Sequence, residues 1–394
     1  MLPAMPRRFP ALALWTIGIC QLVYLIGDAL TCNTLGYDFT GFYAAGQLVL
    51  RGQAAQVFDA VALFAAEQAA NNVESVLPWA YPPVSFLLVS PLALLPYKVA
   101  LIVWMAINTI PVIALVTRFS GMRWHVAAAI PIIMHAAFCG QNGGITGALL
   151  VGGVMLLDGP RPWLAGVVFG LACFKPQVCL LLPVCLLAAG RRDALAAMAA
   201  TVLGMAGLSL ALFGTEPWLA FLHHLTAHLG YVDDGFLPRA RFPTIYAAVY
   251  TLTHDAIAAK LAQAASSVCA FLAVWEVWGR SEDRFSRVLV LATVMPLASP
   301  FMLEYDLVLT AAPAALLLQR IMTGRATRQD RYGVQFLWFL PIVAGGVSVD
   351  TLPLASMEAL VMALYALRAT RAGLSLHSFS PGEYLSRRVE ECPD

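Results

Sequence analysis

Apolar residues run along this chain in long blocks, separated by short gaps rich in polar residues, glycine and proline. A block of about 20 apolar residues can cross a bilayer as a helix, and shorter blocks suffice where helices break inside a bundle. The pattern predicts spans over 10–30, 98–118, 124–139, 143–158, 162–174, 176–190, 193–213, 256–278, 286–300, 302–320, 334–350 and 353–370. Segments 162–174 and 176–190 share the break Lys175-Pro176. The apolar run 82–96 is short and bracketed by Pro82, Pro83, Pro91 and Pro96, which predicts a re-entrant or half-depth piece. The expected fold is all-α: one membrane-embedded helical bundle of about 12 spans over 1–372, then a polar tail over 373–394.

Composition sharpens this picture. Of 394 residues, 60% are hydrophobic and 12% are Asp, Glu, Lys or Arg, against roughly 25% charged in an ordinary soluble domain. The mean hydropathy is +0.75. A water-soluble globule of this size cannot hide so much apolar surface. A soluble enzyme, a nucleic-acid binder and a secreted disulfide scaffold are excluded for the whole chain. A net charge of +1 calls for no polyanionic partner. No CxxC or Cys/His zinc spacing occurs among the eight cysteines. Arg7 and Arg8 precede the first apolar run, which reads as a retained span rather than a cleaved leader.

Lys and Arg number 24, and cytoplasmic loops carry them in excess. The topology that best obeys this rule puts only Arg51, Lys98, Lys175, Arg239, Arg241 and Lys260 at or near the outer side. Both termini are then cytoplasmic, in the inner (plasma) membrane of a cell. A rival in which 82–96 spans fully and 162–190 is one helix moves Arg118, Arg123 and Arg161 outside and buries Lys175 at mid-membrane, so it ranks second. Two long outer loops result, 31–81 and 214–243.

With that topology, the polar oddities gather at the outer face. Ionisable groups at membrane depth are costly and usually face a bundle interior or a watery cavity. Asp38 lies among Tyr37, Phe39, Phe42 and Tyr43. A carboxylate desolvated by aromatic neighbours suits a general base; equally, Asp38 or Thr40 can cap a short helix through Gln47. Tyr81-Pro82-Pro83 fixes an extended lead-in to apolar sequence. Gln141 and Asn142, amid glycines, either donate to a sugar or phosphate or make a helix-joining turn. Lys175, before Pro176-Gln177, is a lone ammonium that needs a partner such as a phosphate, or snorkels to the interface. His224 lies in a polar interfacial stretch with His223 and His228; a metal site there is disfavoured because the spacing carries no acidic or thiol ligand. Arg239 and Arg241 can grip a lipid phosphate or meet headgroups. Glu304 and Asp306 open an apolar helix, where acids suit the positive helix end, or they bind sugar hydroxyls.

The order of these segments resembles a known family. GYDFTGFYAAGQLVLRG is followed by WAYPPVSFLLVSPLALLPYKVALIVW, then GQNGGITGALL, AGVVFGLACFKPQVCLLLPVCLLAAGRRDA and MPLASPFMLEYDLVL. Together they resemble glycosyltransferase family 87, the membrane group that includes polyprenol-phosphate-mannose-dependent α-1,2-mannosyltransferases, over about residues 10–320. The resemblance implies a GT-C type helical bundle with its active site on the outer face and a polyprenyl-phosphate-linked sugar as donor. It implies that the first-loop acid, here Asp38, is the catalytic base. The segment after Ser299-Pro300 reads Phe-Met-Leu-Glu-Tyr-Asp, where relatives often carry an aromatic or a histidine.

A phosphate leaving group needs one base on the acceptor hydroxyl and one cation on the phosphate. One in-line displacement inverts the anomeric centre. No Asp-x-Asp metal motif is evident, so metal-independent chemistry without a further cofactor is expected. Tyr43, Tyr81, Gln141, Asn142, Lys175, Gln177, His224, Arg239, Arg241, Glu304 and Asp306 are the candidate substrate contacts. The acceptor is expected to be a glycan or glycolipid, with membrane lipids around the chain and no obligate protein partner. The alternative is a transporter or flippase of lipid-linked or small polar substrates; the long outer loops and the lack of an internal repeat speak against it.

Overall fold

The computed structural model describes residues 35–225, 233, 237–346 and 352–371, with side chains from 339 to 346 left aside. Every described element is a helix and none is a strand. The expected first span over 10–30 and the tail over 373–394 lie outside the described residues.

Four described helices are long and apolar enough to cross a membrane: Tyr97–Ser120, Arg192–Phe213, Ala256–Arg280 and Glu304–Met322. Of the other expected spans in the described residues, 334–350 and 353–370 fall on the helices Arg328–Gly346 and Leu354–Arg371, and the rest appear as shorter or broken helices. Residues 124–139 divide into Trp124–Ala128 and Pro131–Cys139; 162–190 divides into Trp163–Leu171, Ala172–Phe174, Pro176–Cys179 and Leu182–Ala188. Proline is the cause of the breaks before Pro131 and Pro176, since it lacks an N–H and drives the preceding residue from helical geometry. Such breaks are tolerated where neighbouring helices cover the freed backbone groups.

Burial separates lipid-facing helices from the core. Arg192–Phe213 is apolar, yet Leu203 is 72% and Leu212 62% exposed, as a surface against acyl chains requires. In contrast, every residue from Phe285 to Ala298 is buried. Two glycines permit the closest crossings. A Cβ on Gly144 would lie 1.8 Å from the Asn108 carbonyl oxygen, and one on Gly166 would lie 1.9 Å from that of Ala194. The helices Tyr97–Ser120 and Gly143–Leu156, and likewise Trp163–Leu171 and Arg192–Phe213, therefore pack backbone against backbone.

The two ends of the bundle differ in charge. At one end Asp158 pairs with Arg284 at 2.6 Å and lies 3.9 Å from both Arg191 and Arg287. The Gly143–Leu156 helix, 14 residues and so about 21 Å long, separates this basic end from the Gly140–Asn142 turn. That turn carries the polar chemistry at the other end.

Candidate active site

The site begins with a clamp on the segment before Phe39–Leu50. Gly36 N donates to Phe138 O at 2.8 Å, and Asp38 N to Cys139 O at 3.0 Å. Gly140 closes the Pro131–Cys139 helix at φ +74°, and its missing Cβ leaves room for Gly36. The chain then turns, and Gln141 Nε2 donates to Asp38 Oδ2 at 2.8 Å. Gln141 thus serves both as part of a helix-joining turn and as a side-chain donor. Asp38 flanks the helix but makes no side-chain cap. Thr40 does not cap either; its hydroxyl meets Tyr97 OH at 2.8 Å.

Asp38 lines a cavity with about 100 Å³ of room, enough for about three waters. Phe42, Trp79 and Tyr81 form one wall, with Phe42 and Trp104 ring centroids 4.8 Å apart and Trp79 and Tyr81 5.0 Å apart. Met302, Leu303 and Tyr305 form the facing wall. The cavity therefore lies at the seam between two apolar clusters, one built on the first loop and one on the central bundle. Burial raises the Asp38 carboxyl above its ordinary value, while the Arg241 charge and the Gln141 hydrogen bond pull it back.

Lys175 enters from the break between Ala172–Phe174 and Pro176–Cys179. The sequence leaves its ammonium without a partner; the fold supplies one. Nζ donates to the Asp306 carboxylate and, at 2.8 Å, to Asn142 Oδ1. It also sits 5.2 Å from the Tyr305 ring centroid and 5.7 Å from that of Tyr81. Only 2% of its side chain is exposed. Lys175 is therefore half of a buried ion pair at the cavity wall rather than an uncommitted cation.

Arg241 is the more accessible cation. It follows Arg239 in a short 3₁₀ turn, lines the cavity and keeps 29% of its side chain exposed. Its Nε and one terminal nitrogen donate to Glu304 Oε1 at 2.8 and 2.6 Å. His135 Nε2 lies 3.2 Å from the same oxygen. Glu304 is wholly buried, so it orients Arg241 from behind instead of facing the cavity. The Glu304 charge holds the Arg241 guanidinium above its ordinary range despite burial.

Of the sequence candidates, Asp38, Tyr81, Gln141, Lys175, Gln177, Arg241 and Asp306 share this cavity. Asn142 and Glu304 stand behind it, bonded to Lys175 and Arg241. Three candidates lie elsewhere. Tyr43 turns away and donates to Leu95 O at 2.9 Å. His224 packs beside Phe58, with ring centroids 6.4 Å apart. Arg239 donates to Asp233 O at 2.8 Å and lies over the Tyr250 ring. In each case helix rotation or a local turn sends the side chain off, which sequence proximity does not reveal. His135 is not among the sequence candidates. His135 was detectable, as an ionisable group inside an apolar block. Among the described residues no group of three His, Cys, Asp or Glu side chains is arranged to hold a metal ion.

A family model described as Glycosyltransferase family 87 matches residues 79–300, more than half of the chain. The chain belongs to glycosyltransferase family 87. It is therefore an enzyme, a membrane glycosyltransferase that takes a sugar from a donor to an acceptor, and the transporter alternative is set aside. The family 87 match contains Tyr81, Gln141, Lys175 and Arg241; Asp38, Glu304 and Asp306 lie outside it. No curated protein and no solved structure matches the chain.

Proposed function

We propose that this enzyme moves a hexose, mannose in the first instance, from a polyprenyl-phosphate carrier to a glycan or glycolipid acceptor at the outer face of the inner membrane. Asp38 takes the proton from the acceptor hydroxyl. Arg241 meets the phosphate as it leaves. The displacement is in line and inverts the anomeric centre, with no covalent sugar–enzyme intermediate.

The observation that carries this reading is the pairing of a base and a cation in one cavity, Asp38 and Arg241. A partly desolvated carboxylate is a better base than one in water. An arginine preoriented by Glu304 stabilises charge developing on phosphate without reorganising. Aromatic and apolar walls suit a sugar face and a lipid carrier that arrives sideways from the bilayer. The location is supported by the opposite end of the bundle, where Arg191, Arg284 and Arg287 surround Asp158. An excess of basic residues marks the cytoplasmic side, which supports an outward-facing cavity.

The test is sugar transfer by the purified full-length protein from polyprenyl-phosphate mannose, with polyprenyl-phosphate glucose and a nucleotide sugar as comparators. Transfer from the polyprenyl donor, abolished in Asp38→Asn, is expected. Undiminished turnover in Asp38→Asn removes the base; transfer from the nucleotide sugar alone removes the lipid donor.

A further inference from the structure

A second cavity lies far from Asp38. It is a groove of about 460 Å³ between the Arg328–Gly346 and Leu354–Arg371 helices, within the size range of small-molecule sites. Its walls are apolar, with Phe336, Val361 and Leu364. Gln329, Tyr332 and Arg368 make its rim polar.

The Leu354–Arg371 helix fixes where this groove sits. Near its start, Ser356 Oγ donates to the carbonyls of Phe242 and Thr244 at 3.0 and 2.7 Å, next to Arg241. At its end, Arg371 lies 3.6 Å from Glu276, close to the end of the Ala256–Arg280 helix. The next helix begins at Arg284, which pairs with Asp158. An 18-residue helix is about 27 Å long. The groove, on the later turns of that helix, therefore belongs to the basic end, opposite the active cavity.

Charge at this end is not balanced. Arg320 pairs with Asp330 at 3.5 Å, and Arg371 with Glu276. Arg328 lies over the Tyr332 ring at 5.8 Å and donates to its hydroxyl at 3.3 Å. Among the described residues neither Arg328 nor Arg368 has a carboxylate partner, and both are exposed. One of these guanidiniums, that of Arg368, lines the apolar slot, and that of Arg328 reaches its rim through Tyr332. Guanidinium groups bind phosphate with two parallel hydrogen bonds, and basic pockets between spans on the cytoplasmic side take acidic headgroups.

We propose that this groove binds one anionic phospholipid, with its phosphate against Arg368 and Arg328 and an acyl chain along Phe336, Val361 and Leu364. The site shares no residue with the active cavity, so it stands or falls apart from the catalytic reading.

The experiment measures lipid retained by the purified full-length protein, by native mass spectrometry. The probes are phosphatidylglycerol and phosphatidylcholine of identical acyl chains, with soluble glycerol phosphate as competitor. Selective retention of one phosphatidylglycerol is expected. Arg368→Ala and Arg328→Ala each weaken it about fivefold, and the double variant about 25-fold. Arg368→Lys retains most of the binding, which covers the case in which an alanine variant folds poorly. Arg325→Ala, outside the groove, leaves retention unchanged. Equal retention of both lipids overturns the proposal, as does an equal loss in Arg325→Ala, which indicates diffuse attraction. Full displacement by glycerol phosphate makes the ligand a free phosphate, and a dimer dissolved by Arg368→Ala makes the occupant a second copy; either result overturns the lipid.

Discussion

Asp38 Oδ2 accepts a hydrogen bond from Gln141 Nε2 at 2.8 Å, joining positions 103 residues apart. The Asp38 amide is held by Cys139 O in the same stretch. The proposed base is thus fixed by backbone and side chain together, on the one turn that Gly140 allows. Gln141→Ala is expected to leave a weakened enzyme, down by about tenfold, against about 10²–10⁴-fold for Asp38→Asn. Steady-state transfer kinetics on both variants test the ranking; equal losses would mean that Gln141 does more than hold the carboxylate.

The acid limb of the pH–rate profile follows from the same geometry. Burial raises the Asp38 carboxyl above the ordinary 3.8. A base acts only when deprotonated, so kcat/KM falls as pH drops through this raised value. The Gln141 hydrogen bond lowers that value. Gln141→Ala therefore moves the limb to higher pH, and a limb that moves down contradicts the assignment.

The Lys175–Asp306 pair predicts a non-additive cycle. Both side chains are 2% exposed. Removing one partner leaves a buried charge, so Lys175→Met or Asp306→Leu alone costs about 3–5 kcal/mol of stability. The double replacement returns most of it, because the uncompensated charge is gone. Thermal unfolding of the three variants in one detergent measures the coupling; additive losses mean that the pair is not formed.

Glu67 gives a pH-dependent stability. It sits on the Ala60–Asn71 helix with 0% exposure, and its Oε2 accepts from Leu77 N at 3.0 Å. Leu77 lines the active cavity. Burial pushes the carboxyl up to about 8 from 4.5. The folded chain therefore holds this proton more tightly than the unfolded one between those values. The stabilisation is fully present below about 4.5 and is lost as pH rises through about 8. Wild-type melting temperature falls across this window, and Glu67→Gln, uncharged throughout, loses that slope. Parallel slopes in the two proteins refute the assignment.

Gly144→Ala tests the crossing beside the site. An added methyl carbon lies 1.8 Å from the Asn108 carbonyl oxygen, so the helices must part. Overpacking of this kind costs about 1–3 kcal/mol. Asn108 Oδ1 also accepts from Ile145 N at 3.1 Å, so transfer activity is expected to fall with stability. A melting temperature equal to wild type removes the close crossing.

Much of the fold is written locally. The helices at 98–118, 193–213, 256–278 and 302–320 appear as long apolar elements because hydrophobic length is a property of contiguous residues. The break at Pro176 follows from proline itself, whereas Pro131 divides a run that reads as one span over 124–139. Glu67 was less legible. Among polar loop residues it reads as a solvated acid, and only packing of the Ala60–Asn71 helix onto Phe39–Leu50 encloses it.

By itself the sequence determined that this is an all-helical membrane chain, and the order of its motifs pointed to a sugar-transferring family, because both are carried by residues close together. Tertiary structure alone decided that Lys175 answers Asp306, that Arg241 is held by Glu304, whose same oxygen meets His135, and that Tyr43, His224 and Arg239 lie away from the cavity. The reason is rotational. A helix that is apolar on all sides carries no stripe to say which face meets its neighbour, so contacts between distant polar residues are set only when the helices cross.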